Sequence, residues 1–330
     1  MRRLLPIVLA ALAGVAAVPA PAQARWEPAE RFGGARHLPG TSCPAFPASS
    51  VWHADVSRLP VHARSSQWLS RMSPTRRLHP DFGPSYGAQP APYGIPVTYV
   101  DGGHPKVTVR FDYAEESDRV GYPLGSDTQV EGGQWLEGDR HTVVVDRGTC
   151  RLYETWATRR SGSTWYAGSG ATWSLGSNAL RPAGWTSADA AGLPVLPGLL
   201  RYDEVAAGKV DHPIRFTTDV TDRRYLWPAR HQAGSVSDPS YPPMGARFRL
   251  KASYPLTGLR ADTQVVLRGM KAYGLVLADN GSPWYFQGTA DTRWPTGLID
   301  QLKQVPASAF EAVDVSSLTA DPNSGAVRSR

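Results

Sequence analysis

The chain has 330 residues, of which 41% are hydrophobic and 19% are charged, and its formal net charge is +6. This length allows a large core within one strand-rich domain. The basic residues are dispersed, and their longest runs are pairs such as Arg76-Arg77 and Arg159-Arg160. Because a nucleic-acid surface needs basic residues clustered along one element, we expect no nucleic-acid partner and at most a weak affinity for anionic polymers.

The N-terminus has the order of a secretory signal. Arg2 and Arg3 precede an apolar stretch over residues 4–18, and Ala22-Gln23-Ala24 follows. Two prolines interrupt the apolar stretch before it reaches the roughly 18 residues that a membrane span needs. We therefore expect residues 1–24 to be a signal peptide cleaved after Ala24, with the mature chain secreted or periplasmic and not stably inserted in a membrane.

The two cysteines are Cys43 and Cys150. Export makes a disulfide between them the expected state, and two buried free thiols are the alternative. Residues 25–50 are rich in Pro, Gly and Ser with little periodicity, which predicts an N-terminal tail or a wrapping arm. The bridge would tie this arm to the centre of the chain.

Strands are predicted from short runs of β-branched and aromatic residues bounded by Gly, Asp and Pro. They cover residues 97–100, 107–113, 141–146, 151–156, 165–167, 214–218, 247–252, 274–278 and 284–287. Asp146-Arg147-Gly148-Thr149 predicts the turn of one hairpin, and Asn280-Gly281 predicts the turn of a second hairpin between the last two strands.

Helices are few. They are predicted at residues 66–72, at 263–273 with Asp262 as N-cap and Gly274 as C-cap, and at 297–304. The elements together predict a mainly β fold, an antiparallel two-sheet sandwich or jelly-roll-like single domain with a few short helices. We place this domain at residues 51–315 and a flexible C-terminal tail at residues 316–330. No internal repeat supports a propeller or solenoid.

Five segments of the chain match a known pattern. They are Gly138-Asp139-Arg140-His141, Ser187-Ala188-Asp189-Ala190-Ala191-Gly192-Leu193-Pro194, Pro228-Ala229-Arg230-His231, Pro242-Pro243-Met244-Gly245-Ala246-Arg247, and Tyr273-Gly274 with Ala278-Asp279-Asn280-Gly281. Together they resemble a family of exported bacterial proteins of unknown function. The resemblance covers most of residues 50–315 and implies one intact domain, but no activity or catalytic residue.

The densest group of candidate catalytic residues is Glu131, Asp139, His141, Asp146 and Glu154. If residues 138–146 form a strand, Asp139 and His141 project from the same face. A carboxylate and a histidine on one face can perform general acid-base chemistry or bind a metal. The alternative is a set of polar pairs on a solvated face, where carboxylates are most often found. We assign Glu131, Asp139 and His141 as catalytic candidates.

A second group follows in the chain. Asp189 lies in a small-residue segment that forms either a buried turn or a site loop. Asp203, His231 and Asp279 are further catalytic candidates, and we expect at least one of this group to meet Glu131, Asp139 and His141 at a cleft. Each histidine alone is more commonly a hydrogen-bonded structural group. Arg215 and Arg230 are assigned to substrate binding.

Eleven tryptophans are many for this length. Indole faces stack on sugar rings, although tryptophan also fills ordinary cores. We assign Trp135, Trp185 and Trp284 to substrate binding. No metal ligand and no cofactor is predicted.

Familiar catalytic motifs do not occur, among them Gly-x-Ser-x-Gly, His-Glu-x-x-His and the glycine-rich phosphate and dinucleotide loops. The sequence best fits a secreted carbohydrate-active enzyme, a polysaccharide hydrolase or lyase using carboxylate and histidine chemistry in a tryptophan-lined groove. The alternatives are a non-catalytic carbohydrate- or envelope-binding module and a structural envelope protein. The expected partner is a polysaccharide or cell-envelope glycan, and the expected state is a monomer.

Overall fold

The computed structural model describes residues 37–87, 93–133 and 137–328. Within these ranges it has sixteen strands and four short α-helices. The strands are β1 (His79–Asp81), β2 (Val97–Val100), β3 (Val107–Phe111), β4 (Gly121–Tyr122), β5 (Thr142–Asp146), β6 (Arg151–Trp156), β7 (Arg159–Ser161), β8 (Thr164–Ala167), β9 (Ser169–Ser174), β10 (Ile214–Thr218), β11 (Asp222–Tyr225), β12 (Pro243–Met244), β13 (Arg247–Leu250), β14 (Leu275–Asn280), β15 (Tyr285–Gln287) and β16 (Phe310–Val313). The helices are α1 (Ser65–Arg71), α2 (Tyr202–Ala206), α3 (Ala261–Ala272) and α4 (Thr296–Leu302). The expected mainly β fold with a few short helices is confirmed.

Three sheets dominate the structure. A six-stranded sheet has the order β1-β15-β10-β14-β13-β16, and two four-stranded sheets have the orders β2-β5-β6-β9 and β4-β3-β8-β7. A small additional pair joins β11 to β12. None of these sheets closes into a barrel.

The sheet β2-β5-β6-β9 lies between the other two, and its strand β5 is buried along its whole length. Val143 and Val145 belong to the same core cluster as Phe216 of the six-stranded sheet. Val144 points the other way and packs with Trp165 of β8. A strand buried on both faces needs a continuous apolar run, which the three consecutive valines provide. The arrangement is therefore sandwich-like, with three layers.

The strand pairing is mixed. Antiparallel pairs join β5 to β6, β6 to β9, β7 to β8, β13 to β14 and β13 to β16. Parallel pairs join β2 to β5, β3 to β8, β10 to β14 and β1 to β15. The sequence predicts antiparallel pairs alone. Local sequence patterns indicate which residues are buried and where the chain turns, but they do not indicate the direction of a neighbouring strand that is distant in sequence.

The two predicted hairpins have different outcomes. The turn at residues 146–149 joins β5 to β6, and the Asp146 Oδ1 atom accepts hydrogen bonds from the backbone N–H groups of Gly148 and Thr149. The hairpin at Asn280-Gly281 does not form, since β10 lies between β14 and β15. The Gly281 N–H donates to the Thr218 carbonyl, so the chain crosses the end of β10 instead of turning back beside β14.

Helix α3 begins one residue before the predicted cap. Arg260 occupies the N-cap position and Asp262 lies in the first turn. The helix ends at Ala272, one residue earlier than predicted, with Tyr273 at the C-cap position, and Gly274 follows with a φ of +76°. A Cβ atom at this position would lie 2.2 Å from the Phe248 carbonyl oxygen, so both conformation and space require glycine.

Both ends of the described chain pack on the core. Residues 37–50 lie against it as the predicted arm does, with Cys43 fully buried and joined to Cys150 by a disulfide. Residues 316–328, predicted as a flexible tail, instead bridge to other segments, and Val327 is a core residue. The Trp227 indole N–H donates to the Ser324 carbonyl. The prediction of a tail was wrong because these contacts are with residues distant in sequence.

Breaking the disulfide is expected to lower the stability markedly. The bond closes a loop with a sequence separation of 107 residues, for which the chain-entropy model gives about 5 kcal/mol. We expect the free energy of unfolding of the double variant Cys43→Ser/Cys150→Ser to fall by about that amount. Its urea midpoint should be correspondingly lower. A midpoint equal to that of the unmodified chain would show that the disulfide does not stabilise the fold.

A search of the described ranges for helices long and apolar enough to cross a bilayer identifies none.

Candidate active site

A cavity of about 390 Å³ opens where strands from all three layers end. Its walls come from the segment after β3, the end of β6, the start of β9, the end of β14 and two loops. The lining residues are Tyr113, Glu116, Asp139, Trp156, Ser169, Thr186, Ser187, Ala188, Asp189, Ala190, His231, Ala233, Asp279 and Asn280. Four of the predicted catalytic residues are therefore brought together, namely Asp139, Asp189, His231 and Asp279.

Asp189 and Asp279 share one buried cation. The Arg215 Nε atom donates to Asp189 Oδ2 over 3.1 Å, and its Nη2 atom lies 3.1 Å from Asp189 Oδ2 and 3.7 Å from Asp279 Oδ2. Arg215 is predicted to bind substrate, but it is fully buried on β10 beneath the cavity and does not line it. It holds the two carboxyl groups instead.

Arg215 brings one positive charge to two buried carboxyl groups. Because its charge cannot balance two carboxylates, the pair tends to bind a proton. Burial raises the pKa of Asp189 to about 7, with Arg215 opposing and Asp279 reinforcing the rise. Burial also raises the pKa of Asp279, and Asp139 adds to this effect. Two like charges this close titrate as a pair, and one of them stays protonated well above its ordinary range.

The shared proton is better placed on Asp279. Asp189 accepts a hydrogen bond from the Ala191 N–H as well as from Arg215, and both interactions stabilise its ionised form. Asp279 lies farther from the guanidinium and accepts only the Asn280 N–H among the described donors. Asp279 is also the more accessible of the two, with 24% of its side chain exposed against 1% for Asp189. Asp279 is therefore the member of the pair with the raised pKa that a ligand in the cavity can reach.

His141 and Glu131 form a buried ion pair behind the cavity wall. The His141 Nδ1–H donates to Glu131 Oε2 over 2.6 Å, and the Nε2–H donates to the Ala188 carbonyl over 3.1 Å. Burial alone would lower the pKa of His141, but the Glu131 carboxylate raises it to about 9. An imidazolium with both N–H groups in use is no proton acceptor. His141 therefore fixes the backbone that carries Asp189, and neither member of the pair lines the cavity.

The predicted common face of Asp139 and His141 does not exist. Strand β5 begins at Thr142, and Arg140 has a φ of +48°, which breaks the extended backbone between the two residues. Asp139 is exposed and faces the cavity, whereas His141 is buried.

The Glu131–His141 pair should make stability depend on pH. The pKa of His141 in the folded chain, about 9, lies above its ordinary value of 6.5, so the contribution is complete below about pH 6.5 and is lost as the pH rises through about 9. Its upper limit is roughly 3 kcal/mol. We expect the urea midpoint to fall more between these two pH values in the unmodified chain than in Glu131→Gln. An equal fall in both chains would contradict the ion pair.

His231 and Glu116 both line the cavity, and the His231 Nε2 atom faces the Glu116 carboxyl group. Its Nδ1 atom lies 2.8 Å from the Ala190 carbonyl and must carry the proton to donate there, which leaves Nε2 as the unprotonated atom of the neutral ring. Glu116 Oε2 lies 3.8 Å from Nε2 and accepts the Thr186 N–H. Such a histidine can act as a base. The sequence did not single out Glu116, although an acidic residue following the end of a strand is a signal for a site at a sheet edge.

Trp156 supplies the aromatic wall. Its indole N–H donates to Asp139 Oδ1 over 3.2 Å, and a Cβ at Gly168 would lie 2.2 Å from its ring. The absence of a side chain at Gly168 therefore lets the indole lie on the backbone. The exposed Tyr113 ring is centred 6.3 Å away. Trp156 is the one tryptophan of the described ranges that lines the cavity. Trp135, predicted to bind substrate, lies outside the described residues.

Four other predicted residues lie elsewhere. Trp284 is in the core, where its N–H donates to the Met72 carbonyl. Arg230 donates to the Arg181 and Pro322 carbonyls and so fastens the C-terminal segment. Trp185 lies under the Arg181 guanidinium, outside the cavity lining. Asp203 is on α2 beside Arg201.

Asp146 and Glu154, also in the first candidate group, have structural partners. Asp146 closes the β5–β6 turn, as described above. Glu154 is fully buried and accepts the N–H groups of Val195, Leu196 and the Trp173 indole. Burial raises its pKa to about 7, but it does not line the cavity.

No group of three or more His, Cys, Asp or Glu side chains suited to holding a metal ion is found in the described parts of the chain.

Neither a protein-family model nor a curated protein nor a solved structure matches this chain. The resemblance to a family of exported bacterial proteins therefore stays a prediction, and the chemistry is inferred from the cavity.

Proposed function

We propose that the protein is a carbohydrate-active enzyme that cleaves a polysaccharide, by hydrolysis or by elimination, in the cavity at the strand ends. The observation that carries the proposal is the Asp189–Asp279 pair around Arg215, because it places a carboxyl group of raised pKa, Asp279, at a space that is also lined by a second acidic residue, Asp139, a histidine and an indole. Pairs of titratable groups with separated pKa values are typical of acid-base sites.

Asp279 is the proposed proton donor. Cleavage of a glycosidic bond by either route requires a proton on the departing oxygen, and a carboxyl group with a raised pKa can supply it near neutral pH. Asp189 and Arg215, which lies beneath the cavity and does not line it, set the protonation state of Asp279. The Trp156 face is placed to stack on a sugar ring next to the scissile bond.

The second catalytic group distinguishes the two routes. In hydrolysis the Asp139 carboxylate would activate water or attack the anomeric carbon. In elimination the His231 Nε2 atom would remove a proton from the carbon beside a sugar carboxyl group, and the departing oxygen would take the proton of Asp279. Hydrolysis leaves a new reducing end alone, and elimination also leaves a carbon–carbon double bond in the product.

Export to a secreted or periplasmic location, with cleavage after Ala24, is part of the proposal. The Cys43–Cys150 disulfide supports it, because disulfides persist in oxidising compartments. Edman sequencing of the protein recovered from the medium or the periplasm should begin at Arg25.

The test is a panel of plant and microbial polysaccharides incubated with the mature chain. New reducing ends with no unsaturated product would indicate a hydrolase, and unsaturated products would indicate a lyase. Asp279→Asn should abolish either product, whereas Asp300→Asn, an exposed carboxylate on α4, should not. Tight binding of a glycan with no product in any reaction would instead support the non-catalytic binding module, for which the neighbouring Tyr113 and Trp156 rings provide a surface.

A further inference from the structure

A second cavity, of about 420 Å³, lies beside the candidate active site. The wall between the two contains Arg181, whose Nε and Nη2 atoms donate to the carbonyls of Thr186 and Glu116. Both of those residues line the first cavity, whereas Arg181 lines the second. The two cavities are therefore neighbours on either side of the Arg181 side chain.

The second cavity has an excess of positive charge. Asp118 is the one carboxylate among its described lining residues, and three arginines, Arg119, Arg151 and Arg181, also line it. The Asp118 Oδ2 atom already accepts the Arg181 Nη1–H over 2.9 Å and the Thr172 N–H over 2.8 Å. This carboxylate is therefore matched by Arg181, and Arg119 pairs with Glu115 outside the cavity lining, so Arg151 supplies the excess charge.

Arg151 is the cation most available to a ligand. Its Nη2 atom donates to the Thr172 hydroxyl over 3.0 Å, and within the described ranges no carboxylate lies at ion-pair distance from it. Arg119 pairs with Glu115, but both side chains are largely exposed, so this pair holds Arg119 only weakly. Hydroxyl groups of Thr172, Ser174 and Ser177 line the same space.

We infer that the second cavity binds an acidic sugar residue of the polysaccharide that is cleaved in the first. A sugar carboxylate matches the Arg151 guanidinium, which can donate two parallel hydrogen bonds to it. The hydroxyl groups of the ring match the serine and threonine side chains. The inference rests on the proposed function for its statement that one polymer occupies both cavities, and it narrows the substrate to uronic-acid polysaccharides.

The test measures binding without turnover. Isothermal titration of Asp279→Asn with trisaccharides of galacturonic, glucuronic and mannuronic acid, and with the matching neutral trisaccharides, should show at least one acidic ligand bound about 10-fold more tightly than its neutral counterpart. Adding Arg151→Gln should lower that affinity by about 10-fold, the low end of the range for the loss of a hydrogen bond to a charged group. Adding Arg160→Gln, an exposed arginine over Trp165 that lines neither cavity, should leave it unchanged.

The outcomes separate the two proposals. Equal affinity for acidic and neutral trisaccharides, no binding of either, or an equal effect of the two arginine variants would overturn the acidic-sugar inference. Cleavage of neutral polysaccharides that depends on Asp279 but not on Arg151 would overturn it while leaving the proposed function intact. Acidic binding that depends on Arg151, with no cleavage of any acidic polysaccharide, would support this site and count against the proposed function.

Discussion

Replacing Asp279 with asparagine is expected to lower the rate of polysaccharide cleavage by about 100-fold or more, the usual contribution of a positioned proton donor. Asparagine keeps the shape of the side chain and can still accept the Asn280 N–H and face Arg215. The thermal midpoint should therefore change little. The measurement is the initial rate on the best substrate of the panel, with Asp300→Asn as the matched control.

The pH profile identifies which group carries the proton. Because burial raises the pKa values of both Asp189 and Asp279, the pair should lose its proton, and activity should fall, as the pH rises through the neutral range. In Asp189→Asn, Asp279 is the one carboxyl group of the pair that faces the Arg215 charge, so its pKa should be lower. The loss of activity at high pH should therefore begin at a lower pH than in the unmodified chain. A loss that begins at the same pH in Asp189→Asn, or full activity in Asp279→Asn, would show that the pair does not donate the proton.

The positions of many strands could be predicted from the sequence, and their partners could not. The valine run of β5 and the turn at residues 146–149 are local signals, and both lie where they were expected. The Asn280-Gly281 pair has the same local signal, but β10 pairs with both β14 and β15 and separates them. The direction and order of strands depend on packing between segments far apart in the chain.

The candidate site was predictable to a similar degree. The sequence predicts four catalytic residues that the fold places around one cavity, namely Asp139, Asp189, His231 and Asp279. His141 was misjudged because the spacing argument assumed a strand that the backbone at Arg140 interrupts. The sequence does not predict Glu116 and Tyr113 as site residues. They follow β3, and the parallel pairing of β3 with β8 brings the ends of both strands to the same edge of the sheet.

Replacing Arg215 with methionine is expected to destabilise the chain by about 3–5 kcal/mol, the cost of leaving a buried charge without its partner. Arg215 is fully buried and faces Asp189 and Asp279, so its removal leaves two carboxyl groups and no cation. Urea unfolding at about pH 8 measures the loss. Arg160→Met, at an exposed position on β7, is the control and should change the midpoint little.

The sign of the pH dependence tests the electrostatic cause. Without Arg215 the pKa values of both carboxyl groups rise further, and a group whose folded pKa lies above its unfolded value loses stability as the pH rises between the two. The deficit of Arg215→Met should therefore be smaller at about pH 5, where the carboxyl groups can take up protons, than at about pH 8. Adding Asp189→Asn removes one of the uncompensated charges and should recover part of the stability at pH 8. A deficit that is the same at both pH values, with no recovery in the double variant, would mean that Arg215 contributes packing rather than charge and would remove the basis for a protonated Asp279.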